Sequence, residues 1–255
     1  GCVVPAVAQA QTPGQGPPMT LAMDLKKVVL GSWAEYSVTV GKMPAMKTRM
    51  ALVAKGGPTN TIEMAVEGGM MAMAGGSMVM QTVVDSDTTK EVPIKRLIMQ
   101  MGQNEPMEMP ITSTQQRQFQ RPNPKSLVNE ETIKVAAGTF KAKHYRDKSA
   151  KGDVYNVWVS DKAPPFGLVK IEGEQKSGPP GAEGAVVFEL TSLGGGAKPT
   201  ITRKARPFDQ AALMGQLMGG AKGTGAGTGT GNPGGHGAMP PPSSAPSPSS
   251  APGKP

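Results

Sequence analysis

Glu35-Tyr36-Ser37-Val38-Thr39-Val40 alternates polar and apolar side chains at every second position. Successive side chains of a strand point to opposite faces of a sheet, so this pattern predicts a strand with one buried face. Thr61-Ile62-Glu63-Met64 repeats the pattern, and apolar segments of this kind recur from about Trp33 to about Leu193. Further predicted strands cover residues 48–55, 78–84, 94–101, 131–136, 139–146, 154–160, 168–174 and 185–192.

Short turns rich in glycine and proline separate the predicted strands. About ten strands joined in this way predict a mostly β fold built from an antiparallel meander. Two helices are also predicted. The first covers residues 112–120, begins with cap-type Thr and Ser, and stops before Pro122. The second begins near Pro207 and carries Leu213 and Leu217 on one side, so we expect one or two helices to cover the sheet.

The composition divides the chain into four parts. Residues 1–18 resemble the end of a signal peptide followed by a linker, and residues 19–207 form the predicted antiparallel β domain. Residues 208–218 are the short amphipathic helix. Residues 219–255 contain mainly Gly, Thr, Pro and Ser, which bury too little apolar surface to offset their ordering entropy. We therefore expect a disordered C-terminal tail.

Two features near the first residue predict export. Ala8-Gln9-Ala10 has the small-x-small form that a signal peptidase requires. Gly1-Cys2 matches the end of a lipobox, in which Cys2 would be lipidated and anchor the chain in a membrane. Both alternatives predict an exported protein, either periplasmic or associated with the outer membrane or cell surface.

The charge and the rare residue types limit the partners. The net charge of +8 favours anionic surfaces such as a membrane or a cell wall, but the basic residues are scattered, so no specific nucleic-acid partner is predicted. One cysteine and two histidines exclude a disulfide framework and a Cys- or His-based metal site. We predict no cofactor and no metal site, and the sequence makes no prediction of oligomeric state.

No motif for catalysis is present in the sequence. The chain lacks G-x-S-x-G, H-E-x-x-H, phosphate-loop and paired-cysteine motifs. His144 lies in a strand pattern typical of a satisfied, half-buried imidazole, and Glu35, Glu63 and Glu67 alternate outward as expected of solvated charges. These observations predict that the protein is not an enzyme.

Eighteen methionines are the most unusual feature of the composition. Several occur as Met-x-Met, a spacing that places two thioethers on one face of a strand. Thioethers bind Cu(I), whereas unbranched, polarizable methionine also fills irregular cores or lines sites for flexible apolar ligands. We favour the apolar role, with nine candidate residues for the wall of the site: Met50, Leu52, Ile62, Met64, Met78, Met80, Leu97, Met99 and Met101.

Three segments carry a resemblance to a known group of proteins. Glu131-Thr-Ile-Lys-Val-Ala-Ala-Gly-Thr-Phe-Lys-Ala-Lys-His-Tyr145, Val157-Trp-Val-Ser-Asp-Lys-Ala-Pro-Pro-Phe-Gly-Leu-Val-Lys170 and Leu30-Gly-Ser-Trp-Ala-Glu-Tyr36 resemble segments of uncharacterised exported bacterial proteins related to the LolA-like half-barrel of lipoprotein carriers. The resemblance implies a strongly curved antiparallel sheet or half-barrel, closed by helices around an apolar cavity.

Taken together, the patterns predict a non-catalytic envelope protein that binds an apolar ligand, such as a lipid or acyl chain, in a methionine-lined cavity. Two alternatives remain open. One is a structural or interaction protein with a solid core, and the other is a methionine-based Cu(I)-binding protein.

Overall fold

The computed structural model describes residues 19–69, 76–88, 93–112, 119–148, 152–176 and 181–210. All of them belong to the first of two compact units, Gly1–Ala221 and Lys222–Pro255. They form a 3-10 helix, Pro124–Ser126, and fourteen strands. The strands are β1 Met19–Thr20, β2 Trp33–Val40, β3 Met46–Gly56, β4 Thr59–Gly68, β5 Met78–Asp85, β6 Ile94–Met101, β7 Met107–Met109, β8 Phe119–Gln120, β9 Leu127–Val135, β10 Gly138–Lys148, β11 Val154–Val159, β12 Leu168–Gln175, β13 Gly184–Gly194 and β14 Arg206–Pro207.

Twelve of these strands form one curved sheet that is not closed. Strands β2 to β7 make one antiparallel meander and β9 to β13 make a second, and the two meanders join where β13 pairs with β2. Strand β14 pairs in parallel with β7 at one edge, and β9 forms the other edge. The mostly β, antiparallel fold predicted from the sequence is confirmed, with more strands than the expected ten.

One face of the sheet holds the main hydrophobic core, and we call it the core face; the opposite face is the outer face. Tyr36, Met50, Ile171 and Leu190 on the core face are completely buried. The alternation in β2 is the reason, because Ala34, Tyr36 and Val38 point to this face while their neighbours do not. Both meanders contribute to this core, so it continues across their junction.

Extended chain and loop cover the core face among the described residues. Leu21 and Leu25 from the segment before β2 are completely buried, as is Phe166 in the loop between β11 and β12. Phe119 of β8 stacks on Phe166 with ring centroids 6.2 Å apart. The backbone N–H of Ala22 donates to the Phe166 carbonyl at 2.7 Å, which joins the segment to the loop.

The helices predicted to cover the sheet are not shown. The prediction over residues 112–120 is wrong at its end, because Phe119 and Gln120 form β8, paired in parallel with β1; residues 113–118 lie outside the described residues. Pro207, where the second helix was predicted to begin, belongs to β14, and residues 211–218 lie outside the described residues. So does the predicted tail, residues 219–255.

Replacing Phe166 with alanine tests whether the loop between β11 and β12, which covers the core face, unfolds together with the core. Phe166 is 1% exposed, so we expect F166A to lower the free energy of unfolding by about 3–5 kcal/mol, measured by urea denaturation. F208A is the matched control: Phe208 is 39% exposed and should change the value by less than about 0.5 kcal/mol. Equal effects of the two substitutions would contradict the packing described.

The buried hydroxyl of Tyr36 leads us to expect a loss of folding stability at alkaline pH. Its hydroxyl donates to the Leu168 carbonyl at 3.1 Å, and burial raises the pKa of the phenol well above its ordinary value. The unfolded chain therefore loses this proton first, at about pH 10, and the stabilisation is complete below that pH and falls as the pH rises further.

The Y36F variant lacks this titration. We expect it to be less stable at neutral pH by about 1 kcal/mol, through loss of the hydroxyl hydrogen bond. We also expect its stability to fall less steeply than that of the wild type above about pH 10. Tyr155, whose pKa is also raised by burial and by Asp153, is present in both proteins and cancels in the comparison. Parallel stability profiles in alkali would contradict the prediction.

Candidate functional site

A row of five methionines crosses the core face of strands β3 to β7. Met50 pairs with Met64, Met64 with Met80, Met80 with Met99, and Met99 with Met107 as direct cross-strand neighbours. We call this row the methionine ladder. Neighbouring strands are about 4.8 Å apart, so the ladder extends for about 19 Å across the strands.

Two further rows flank the ladder on the same face. The row on one side runs from strand to strand through Val66, Met78 and Met101, each paired with the next. The row on the other side runs in the same way through Leu52, Ile62, Thr82, Leu97 and Met109. All nine residues predicted from the sequence as wall residues lie in these three rows. The Met-x-Met spacing places two residues on the same face of one strand. The pairing register then places these nine residues beside one another across neighbouring strands.

Burial divides these nine residues into two groups. Four are completely or almost completely buried and belong to the core: Met50, Leu52, Ile62 and Leu97, with exposures of 0–1%. The other five are half-buried, and all of them are methionines: Met64, Met78, Met80, Met99 and Met101. The accessible part of the predicted site is therefore a methionine surface on β4, β5 and β6.

The chemistry of this surface is that of thioethers. Methionine is flexible and polarizable, so five such side chains can adapt to an apolar chain laid against them. Thioethers on adjacent strands are also soft donors of the kind that Cu(I) accepts. Among the described residues, no group of three or more His, Cys, Asp and Glu side chains is arranged to hold a metal ion.

The outer face behind the ladder is covered by residues 195–205, which we call the strap. Glu63, 5% exposed, binds the strap: its carboxylate accepts hydrogen bonds from the backbone N–H of Thr200 at 2.8 Å and from its hydroxyl at 2.6 Å. Gln81 donates to both the Glu63 carboxylate at 2.9 Å and the Ile201 carbonyl at 3.0 Å. Ile201 packs against Val79 and Ile98. The prediction of Glu63 as a solvated charge is wrong.

Strand alternation could not reveal this role. The alternation correctly placed Glu63 on the face opposite Met64, but it does not tell whether that face is open to water or covered. The covering residue, Thr200, is 137 positions away in the sequence. The Thr200-Ile201 pair in a loop has no pattern that would identify it as the partner of a buried carboxylate.

A cleft of about 520 Å³ lies between the strap and the outer face. Its lining is charged: it includes Glu35, Lys47, Arg49, Glu67 and Lys198. Lys47 Nζ lies 3.7 Å from the Glu35 carboxylate. This cleft does not correspond to the apolar cavity predicted from the sequence, because charged side chains contribute to its lining and it lies on the face opposite the ladder.

His144 is held in a network on the other meander. Its ring stacks on Trp158 with centroids 4.5 Å apart, and Nε2 lies 3.0 Å from Asn156 Oδ1. Glu131 accepts a hydrogen bond from Trp158 Nε1 and lies 3.4 Å from His144 Nδ1. Both ring nitrogens therefore have polar neighbours, which agrees with the interpretation of a satisfied imidazole.

Replacing Glu63 with glutamine tests the attachment of the strap. One carboxylate oxygen becomes an NH₂ donor, which must then face the donors of Gln81 or Thr200. We expect E63Q to lower the free energy of unfolding by about 1–3 kcal/mol and to speed hydrogen exchange at the amides of residues 200–202. E67Q, on the same face of the same strand but exposed, should change stability by less than about 0.5 kcal/mol. Unchanged exchange in E63Q would contradict the role assigned to Glu63.

No family model and no curated protein matches the chain. Solved structures with a partly similar arrangement include a hypothetical protein of Chlamydia trachomatis, with 11% identity, a TM-score of 0.41, and 71% of this chain and 94% of that chain covered. A Bacteroides fragilis protein described as exported, with a YmcC-like fold, has 11% identity and a TM-score of 0.34, covering 69% of this chain and 99% of its own. A Parabacteroides distasonis protein described as a lipoprotein has 12% identity and a TM-score of 0.29, with the same shares of 69% and 99%.

These TM-scores are too low to support an argument about function, and the relation to LolA-like carriers stays a prediction. Cys2 and the Ala8-Gln9-Ala10 segment lie outside the described residues. Within the described ranges, no helix has the length and apolar character needed to cross a membrane.

Proposed function

We propose that the chain is a non-catalytic, exported envelope protein that binds an apolar ligand, such as a lipid acyl chain, against the methionine ladder and the rows beside it. The observation that supports this proposal is the group of five half-buried methionines on β4, β5 and β6. They are neighbours along and across the strands, and they continue directly from the buried core.

The physical argument rests on partial burial. A half-buried thioether still exposes apolar surface to water, and covering that surface with a ligand contributes about 25 cal/mol for each Å². The four completely buried wall residues have no such surface left. Ligand contact is therefore assigned to Met64, Met78, Met80, Met99 and Met101, and the buried four support them from the core.

Export is supported by the sequence. The Ala8-Gln9-Ala10 segment and Gly1-Cys2 each favour a location outside the cytoplasm, where a protein with an accessible apolar surface would meet lipids. A net charge of +8 is compatible with a location close to anionic membranes, which attract positively charged proteins.

A structural or interaction protein is the second candidate, and a specific observation favours it. Leu21, Leu25 and Phe166 pack into the core from outside the sheet and are at most 1% exposed. If the methionine surface is covered in the same way by other parts of the protein, no room for a ligand remains.

Ligand binding can be tested on protein purified from its own host. Native mass spectrometry should detect a co-purified lipid, and a fluorescent fatty-acid probe should bind saturably to the delipidated protein. The M99Q/M101Q variant should bind the probe at least about tenfold more weakly, because polar amides replace two thioethers. The M99L/M101L variant keeps the apolar surface and should bind nearly as well as the wild type.

The pair of variants also separates the alternatives. If the wild type binds Cu(I) tightly but does not bind the fatty-acid probe saturably, and M99L/M101L loses the Cu(I) binding, copper binding replaces the lipid proposal. Absence of both lipid and Cu(I) binding would favour the structural candidate.

A further inference from the structure

The turn before β2 exposes two adjacent apolar side chains. Val29 is 74% exposed and Leu30 is 52% exposed, whereas the preceding Val28 is buried in the core at 3%. Among the residues that the structure describes, a second pair of neighbouring large apolar residues is also exposed, Leu127 at 45% and Val128 at 55% on edge strand β9. We infer that this turn, residues 26–30, docks the protein onto an anionic lipid surface, with Val29 and Leu30 inserted at the membrane interface.

The turn is held in place from its base. The backbone N–H of Gly31 donates to the Leu52 carbonyl at 2.8 Å, and the Gly31 carbonyl accepts from Ala197 N–H at 2.9 Å. Ser32 N–H donates to the Val29 carbonyl at 3.1 Å and closes the turn. Gly31 has a φ of +83°, a conformation that favours glycine. The two apolar side chains are thus presented by ordered backbone that is anchored to β3 and to the strap.

Lysines lie within the turn and at its base. The charged side chains in the turn and near its base include Asp24, Lys26, Lys27, Lys55 and Asp87. Lys26 Nζ lies 3.8 Å from the Asp87 carboxylate. Lys55 Nζ donates to the backbone carbonyls of Lys26 at 3.0 Å and Val28 at 2.8 Å, so its charge is placed directly under the turn. An apolar tip with ammonium groups at its base matches a bilayer of anionic headgroups above acyl chains.

The size of the tip favours a membrane over a protein partner. A stable protein interface buries about 800 Å² on each side, which two aliphatic side chains do not provide. Interfacial membrane binding needs only a few apolar groups together with basic residues, because each contributes independently. The inference does not depend on the methionine ladder, which involves other side chains.

Vesicle binding by the full chain tests the inference. The protein should co-sediment with vesicles of equal parts phosphatidylcholine and phosphatidylglycerol, and more weakly with pure phosphatidylcholine. V29S/L30S should bind the mixed vesicles at least about tenfold more weakly. K27Q should weaken binding roughly fivefold. L127S/V128S, which removes the comparable exposed pair on β9, should bind like the wild type.

An inserted reporter adds a measurement that a folding defect would not imitate. When mixed vesicles are added, the tryptophan emission of L30W should move to shorter wavelength by more than that of the wild type, which contains Trp33 and Trp158, whereas L127W should shift no more than the wild type. Absence of binding by the wild type, or binding by V29S/L30S equal to that of the wild type, overturns the inference. Unaltered fatty-acid binding in V29S/L30S, combined with lost vesicle binding, separates this surface from the ligand site.

Discussion

The pairing of β2 with β13 is the contact on which the architecture depends. These strands join two meanders whose partners are about 150 residues apart in sequence, with Tyr36 opposite Leu190 and Val38 opposite Phe188. Tyr36 strengthens the junction on the core side, since its ring is completely buried and its hydroxyl is bound to the Leu168 carbonyl of β12. Without this pairing, each meander would have an exposed edge strand and only half of the core.

The strands could be predicted from the sequence because their cause is local. Polar and apolar residues alternate in β2 and β4 because each strand has one buried face, and the positions of Tyr36, Val38 and Ile62 identify that face from the sequence. The junction of β2 with β13 is not local, and no pattern within either strand specifies the partner. The cover of the core face was missed for a similar reason, because Leu21 and Leu25 lie in an irregular segment between β1 and β2 and pack into a core built from residues distant in the sequence.

The site shows the same division between local and distant information. Met-x-Met spacing placed Met78 with Met80 and Met99 with Met101 on single faces, which is a property of one strand. That Met80 lies beside Met99 depends on the register of β5 with β6, which is set by the intervening turn and the shared buried face. Alternation also placed Glu63 correctly on the outer face, yet its burial depends on the strap, which arrives from beyond β13.

The strap and the methionine ladder lie on opposite faces of the same strands. Glu63 stands between Ile62 and Met64 in β4, and Gln81 follows Met80 in β5, so the groups that bind the strap alternate with the methionines along the same strands. Hydrogen bonds of the Glu63 and Gln81 side chains on the outer face join these strands to the strap, while the thioethers on the core face keep three rotatable bonds each. This arrangement would suit the proposed binding of apolar chains of variable shape, because few side chains would have to be ordered and the backbone would not have to move. The same reasoning explains why the accessible wall residues are methionines and the completely buried ones are mostly branched aliphatics, since close packing favours Leu and Ile and adaptation favours Met.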